Sequence, residues 1–328
     1  MPSYNGALPI ALARVREAQV VLARHFAPTR LVRATSLTKA RCDVHLKLES
    51  ELPTGSFKVR GAVYALSVEL ARGAPREVVA ASTGNHGAAV AYAARLLGIP
   101  ATIFLPVAPN PVKLQRISDA GARIVEHGVD LAAAIDAAAE YAAREGAFFL
   151  HDASDEQIPA GTGTIGLEVI AQLPAIDTLY VPMGDTALIR GVASAATALK
   201  PAIRIVGVVA ERAPAYCLSW NKRMPVSTAT AETIADGLAV TRPLGANVAE
   251  ICDLVDRVVT VSEEEMLSAI KVLMAHEHVT AEPAGAAATA AFLRDDPQTG
   301  TFALLVTGAN IAPDVRRAAQ ADRQTHRT

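Results

Sequence analysis

Cysteine, aromatic residues and net charge are all scarce in this chain of 328 residues. The three cysteines, Cys42, Cys217 and Cys252, lie far apart and show no CxxC spacing. That excludes a disulfide framework and predicts reduced thiols in a cytoplasmic protein. Aromatic residues are 4% of the chain, so aliphatic side chains must fill its interior. The 31 Lys and Arg nearly cancel the 33 Asp and Glu, leaving a net charge of −2 with no basic block. Nucleic acid and anionic membrane surfaces are therefore excluded as partners. No run of about eighteen apolar residues occurs, the length a membrane-spanning helix needs. Residues Met1 to Ile10 lack a basic flank followed by an apolar run, so no secretory leader is expected.

Alanine, by contrast, is abundant, and hydrophobic residues make up 51% of the chain. This supports a large core and two lobes. Short β-branched runs alternate with alanine-rich helical stretches. Val44 to Leu48, Glu77 to Ala81, Ala101 to Leu105, Arg123 to Val125 and Ala147 to Leu150 read as strands. Ala88 to Leu97, Pro109 to Ala120 and Asp130 to Arg144 read as helices between them. A second series follows, with strands at Leu179–Pro182, Ile205–Val209, Arg257–Val261 and Phe302–Val306, and Ser262 as an N-cap. The pattern predicts an α/β fold with two parallel-sheet domains. Residues 1–66 and 148–328 form the large domain and 67–147 a small closing domain, with the chain crossing near 66–78 and 146–152. The polar tail after Pro313 is expected to fray.

Chemistry concentrates in loops at the carboxyl ends of these strands, where parallel sheets present ligands to helix N-termini. Three such loops are Ser82 to Gly87, Met183 to Ala187 and Thr307 to Asn310. Ser56-Phe57-Lys58 adds a lysine, and a lysine that bonds a carbonyl carbon needs a neutral amine in a fixed shell. Read singly, each has a plainer meaning. Lys58 is one of many solvated cations, Glu282-Pro283-Ala284-Gly285-Ala286 a helix start and Asp236-Gly237 a turn. His86 caps its helix, and Glu168 is a solvated carboxylate.

Read in order, the motifs converge. Ser56-Phe57-Lys58-Val59-Arg60-Gly61-Ala62 comes first, then Ser82 to Gly87 and Ala160-Gly161-Thr162-Gly163-Thr164-Ile165-Gly166-Leu167-Glu168. Glu232 to Leu238, Glu282 to Ala286 and Thr307 to Asn310 follow. Over roughly residues 30–312 this series resembles the fold-type-II enzymes that use pyridoxal 5'-phosphate, in the threonine/serine dehydratase and serine racemase group. The resemblance implies a tryptophan synthase β-like fold with the cofactor in the cleft, a small amino-acid substrate and a homodimer. It implies that Lys58 carries the cofactor and then serves as base at Cα, with Phe57 against the ring. Asn85 would meet the ring hydroxyl and Thr307 the ring nitrogen. Gly184, Asp185, Thr186, Ala187 and Leu188 would hold the phosphate. Ser82, Thr83, Gly84, His86 and Ala153 would face the substrate. A hydroxyl at position 307 leaves the ring nitrogen largely unprotonated, which favours prompt β-elimination. The expected reaction is dehydration of a β-hydroxy α-amino acid to a 2-oxo acid and ammonia.

Three departures from the family pattern stand out. The phosphate loop, usually a run of glycines, keeps only Gly184 before Asp185, Thr186 and Ala187. A carboxylate beside a phosphate is unfavourable unless paired, and Arg190, one turn on, is the expected partner. His151-Asp152-Ala153-Ser154-Asp155 lacks the usual proline and aromatic, leaving room for a substrate longer than serine or threonine. Glu211 matches one ligand of the group's cation site, but Cys217 replaces the expected aspartate, so no metal is assigned. The first two changes resemble the hydroxyectoine-utilisation dehydratases, which implies a hydroxylated diaminobutyrate derivative as substrate. Thr83 stands where serine racemases carry the serine that works the face opposite the lysine, so a racemase is one alternative. A non-catalytic protein that carries pyridoxal phosphate is the other. No regulatory domain is expected after residue 328.

Overall fold

The alternation of short apolar runs with alanine-rich helices builds two sheets, each covered by helices. A computed structural model describes residues 10–82, 84–107 and 111–320. The chain opens with α1 (Leu12–Leu22), β1 (Leu31–Arg33), β2 (Cys42–Leu48) and α2 (Lys58–Arg72). Then come β3 (Val78–Ala81), α3 (Asn85–Leu97), β4 (Ala101–Leu105), α4 (Pro111–Asp119), β5 (Arg123–Glu126), α5 (Leu131–Glu145) and β6 (Phe148–Phe149). The third stretch is α6 (Ile158–Gln172), β7 (Thr178–Pro182), α7 (Ala187–Leu199), β8 (Arg204–Ala210), α8 (Ala215–Lys222) and α9 (Gly245–Leu254). It ends with β9 (Arg257–Val261), α10 (Glu263–His276), α11 (Pro283–Asp295), β10 (Gly300–Val306) and α12 (Pro313–Gln320).

The larger sheet has the order β1-β2-β10-β7-β8-β9 and the smaller β5-β4-β3-β6. All neighbours run parallel except β1, an antiparallel edge strand folded back on β2. β6 pairs with β3, so Phe148 and Phe149 belong to the smaller sheet although they lie just beyond residue 147. Apolar clusters fill both faces of the larger sheet: Leu46, Ile270 and Phe292 on one, Leu179, Val192 and Ile251 on the other. A further cluster runs from Val63 and Leu66 of α2 to Val90 and Ile103, joining the long helix to the smaller sheet. Helices α6 and α7 touch backbone to backbone, since a Cβ on Gly191 would lie 2.0 Å from the Pro159 carbonyl oxygen.

Local signals set two helix starts, at Ser262 as the sequence predicts and at Asp130, read there as the first helical residue. Ser262 caps α10, its hydroxyl accepting from Glu265 N–H while the Glu265 carboxylate accepts from Ser262 N–H. Asp130 caps α5 by accepting from Ala133 N–H at 2.9 Å. The expected fraying after Pro313 does not occur through Gln320. Val315 and Ala319, one turn apart, turn an amphipathic face onto α10, and burial of Ala319 stabilises the helix.

Glu168 also departs from expectation, because it is buried rather than solvated. Its carboxylate meets Arg60 Nη1 at 2.6 Å and Nη2 at 2.9 Å, and also bonds Lys47 Nζ. Arg60 Nε reaches Glu49 at 2.7 Å, and Lys47 donates to the Thr29 carbonyl at 2.9 Å. Burial pushes the Glu168 carboxyl up, but the two cations outweigh it and hold it below the ordinary carboxylate range. Two cations and two carboxylates balance, so β2, α2 and α6 are tied together without residual charge. Removing one partner strands the others in a low-dielectric interior. Arg60→Met should therefore lower the unfolding free energy by about 3–5 kcal/mol, read from urea denaturation. A loss below about 1 kcal/mol, the scale of exposed pairs, would show that the network is not desolvated.

Candidate active site

Lys58 is the first residue of α2, and the segment before it is zipped onto the end of β10. Phe57 N–H donates to the Thr307 carbonyl at 3.0 Å, Ser56 bridges Gly308, and Ala309 N–H donates to the Gly55 carbonyl at 2.9 Å. Gly55 has φ +68°, and a Cβ there would lie 2.7 Å from Asn310 Oδ1, so a glycine lets this close approach form. The result is a fixed root for the Lys58 amine. That amine lies 2.9 Å from Asp152 Oδ2, contacts Asp185 Oδ2, and stands 5.5 Å from the Phe57 ring centre.

Asn85 opens α3 and is held from both ends. Its amide donates to Glu282 Oε1 at 2.6 Å, and its Oδ1 accepts from Asn310 Nδ2 at 2.6 Å. Asn310 also donates to the Thr54 carbonyl at 2.9 Å. Glu282 and Asn310 thus act together, a link that sequence reading missed although both lie in motifs it singled out. Ser82 Oγ accepts from Gly84 N–H at 3.2 Å, shaping the turn into α3. Thr83 lies outside the described residues. His86 is buried and its Nε2–H donates to the Leu150 carbonyl at 3.0 Å, so that nitrogen braces the 150–152 segment instead of facing a ligand. Burial lowers its proton affinity and keeps it neutral.

The loop from Met183 to Leu188 leads from β7 into α7. Gly184 packs so tightly that a Cβ would come within 2.1 Å of the Gly237 carbonyl oxygen. The Asp236–Leu238 turn is therefore the floor of this loop and not a detached surface turn. Thr186 sits at φ +74°, and its buried hydroxyl makes no geometric hydrogen bond among the described residues. Asp185 Oδ1 accepts from Ala187 N–H at 2.9 Å at the start of α7. Arg190 does not offset Asp185 as expected. It is buried against Glu250 of α9 at 2.9 Å, because its place on α7 faces that helix. Thr307 is buried and its hydroxyl reaches only the Ala284 carbonyl, at 3.5 Å.

Asp152 is the main residue absent from the expected site. It lies in the 151–155 segment already singled out as a departure from the family pattern, which is the signal that could have found it. Burial pushes its carboxyl up, yet the Lys58 ammonium outweighs this and holds it far below the ordinary range. Burial pulls Lys58 down, but Asp152 and Asp185 override it and raise its proton affinity above that of an ordinary lysine. Ala153 is half-buried and Ser154 exposed, so the segment is a pocket wall at Asp152 and surface by Ser154.

These residues fit a phosphorylated aldehyde bound to a pyridine ring. An amine is rooted at the start of α2, the Met183–Leu188 loop offers the Thr186 hydroxyl, without a hydrogen bond among the described residues, and the start of α7, and two further polar groups, Asn85 and Thr307, converge near the amine. The family model described as pyridoxal-phosphate dependent enzyme matches residues 22–308. L-threonine ammonia-lyase of Geobacter sulfurreducens is 36% identical over 301 residues, 91% of this chain and 72% of that protein. The catabolic L-threonine dehydratase TdcB of Escherichia coli K12 is 33% identical over 319 residues, 95% of this chain and 96% of that one. The structure of maize serine racemase superposes with a TM-score of 0.89 at 29% identity, covering 95% of this chain and 97% of the other. The chain belongs to the pyridoxal-phosphate dependent enzyme family, and pyridoxal 5'-phosphate is its cofactor.

The two carboxylates set a pH dependence. Raised proton affinity keeps Lys58 an ammonium at neutral pH, and the amine becomes free only above the usual lysine range. Removing one carboxylate charge moves this transition to lower pH. Each unit of that movement raises the neutral fraction at fixed pH about tenfold. Asp152→Asn should therefore take up added pyridoxal phosphate faster at neutral pH, and the advantage should shrink as pH rises, followed by absorbance. Equal rates at all pH values would mean that Asp152 does not govern the Lys58 proton.

Proposed function

We propose that this enzyme removes water and ammonia from a β-hydroxy α-amino acid whose side chain carries a second ammonium. It is a pyridoxal-phosphate dependent lyase of the dehydratase kind. Residues Gly184 to Leu188 would hold the phosphate, with the Thr186 hydroxyl as a side-chain donor. Asn85 would meet the ring oxygen, Thr307 the ring nitrogen and Phe57 the ring face. When bound, the cofactor draws electron density from the substrate Cα. Lys58 takes the α-proton, and Ser82, Thr83 and Gly84 hold the substrate carboxylate. The β-hydroxyl leaves as water with the proton that Lys58 would hand back, and the released enamine takes up water to give a 2-oxo acid and ammonia. The smaller lobe, extended from residues 67–147 to take in β6, would close over the substrate and exclude water.

One observation carries the substrate class: a single amine faces two carboxylates, from Asp152 and Asp185. Arg190 is committed to Glu250 and buried His86 is neutral, so neither balances them. His151 Nδ1 lies 3.9 Å from Asp152, and is the further nearby base. A bound phosphate adds negative charge to this surplus. A substrate with a second ammonium restores the balance by pairing with Asp152, whereas serine and threonine leave it unpaired. A hydroxylated diaminobutyrate, as arises in hydroxyectoine catabolism, has this chemistry.

Release of 2-oxo acid from a panel of β-hydroxy amino acids tests the reading. A β-hydroxy-α,γ-diamino acid should exceed L-threonine in kcat/KM by roughly ten- to two-hundred-fold. Asp152→Asn should erase that preference, Ala153→Phe should reduce it by filling the space, and Lys58→Ala should abolish turnover. L-threonine as the best substrate, with the ranking unchanged in Asp152→Asn, would return the enzyme to an ordinary threonine dehydratase. Racemate in place of 2-oxo acid would overturn the elimination itself.

A further inference from the structure

We infer that Asn247 is the positioning residue that sets the distance between the two loops whose carboxylates flank Lys58. Asn247 lies in the first turn of α9, buried at 3% exposure. Its Nδ2 donates to the Ala153 carbonyl at 3.0 Å and the Asp185 carbonyl at 3.3 Å, with the Tyr216 hydroxyl at 3.5 Å. Ala153 follows Asp152, and Asp185 itself supplies the second carboxylate. One amide therefore grips the main chain of both loops immediately beside the groups that contact the reacting amine.

The grip is rigid because α9 is itself anchored. Glu250, three residues on and on the same helix face, pairs with Arg190 of α7, the helix that the Asp185 loop opens. Leu244 N–H, at the start of α9, donates to the Tyr216 hydroxyl at 3.3 Å. A shift of α9 would thus move the 153 and 185 segments together, while loss of the Asn247 amide would free each from the other. Asn247 reaches no reacting atom. It acts through Asp152, on the substrate side, and through the 184–188 loop, on the cofactor side. The inference rests on Lys58 being the reacting amine, which the Lys58→Ala variant tests separately.

The test uses holoenzyme, with the cofactor dissociation constant read by absorbance and KM and kcat read with the best amino acid of the panel. In Asn247→Ala two half-buried carbonyls lose their donor, and both the cofactor constant and KM should rise about tenfold, with kcat changed much less. Asn247→Asp keeps the shape but turns acceptors toward two carbonyl oxygens. A buried carboxyl so placed holds its proton above the ordinary range, so lowering the pH returns an O–H donor. Both constants of Asn247→Asp should then move back toward wild type as pH falls, a recovery that a purely structural role does not produce. A lower melting temperature with both constants within about twofold of wild type would overturn the inference. So would a defect in Asn247→Asp that is the same at every pH.

Discussion

The contact on which the site depends is the Lys58 ammonium between Asp152 and Asp185. Each carboxylate comes from a different loop, and each loop leaves the end of a different sheet: β6 of the smaller, β7 of the larger. An ammonium in a half-dry cleft needs such partners, because desolvation alone would strip its proton. The same pairing opposes catalysis, which requires a neutral amine. In the function proposed above, a second ammonium on the substrate would take over one carboxylate and so ease release of the Lys58 proton.

Holding that contact in place requires rigid roots. Lys58 is anchored on one side by the backbone zip of residues 55–57 to 307–309. On the other side Arg60, two residues into the same helix, locks α2 through Glu49 and Glu168. The charge network contributes little net energy over apolar packing, but a mispaired alternative would leave an ion uncompensated in the core. It therefore fixes the rotation of α2 about its axis, and with it the direction of the Lys58 side chain.

The Met183–Leu188 loop, proposed to hold the phosphate, shows how a chain can form such a turn with a single glycine. Only Gly184 must remain, because the Gly237 carbonyl occupies the space of a side chain. Thr186 takes the left-handed conformation that a glycine would take more easily, and its strain is accepted where its hydroxyl faces the loop. Asp185 then becomes possible because its charge is answered by Lys58 and not by Arg190, whose place on α7 turns it toward α9.

Much of this was legible in the chain itself. Alternating strands and alanine-rich helices, the cap at Ser262 and the order of the motifs depend on neighbours within a few residues, so periodicity and spacing reveal them. Lys58, Asn85 and Thr307 were legible as motif members, and their convergence at the strand ends follows from parallel-sheet topology. What the tertiary structure alone decided is which charge meets which. Glu168 reads as a surface carboxylate until α6 packs on α2, Arg190 as the partner of Asp185 until α9 offers Glu250, and Asn247 as one polar residue among many. Pairings between residues 60 to 130 positions apart leave no periodic trace, since each side chain's partner is set by how the helices pack and not by its own neighbours.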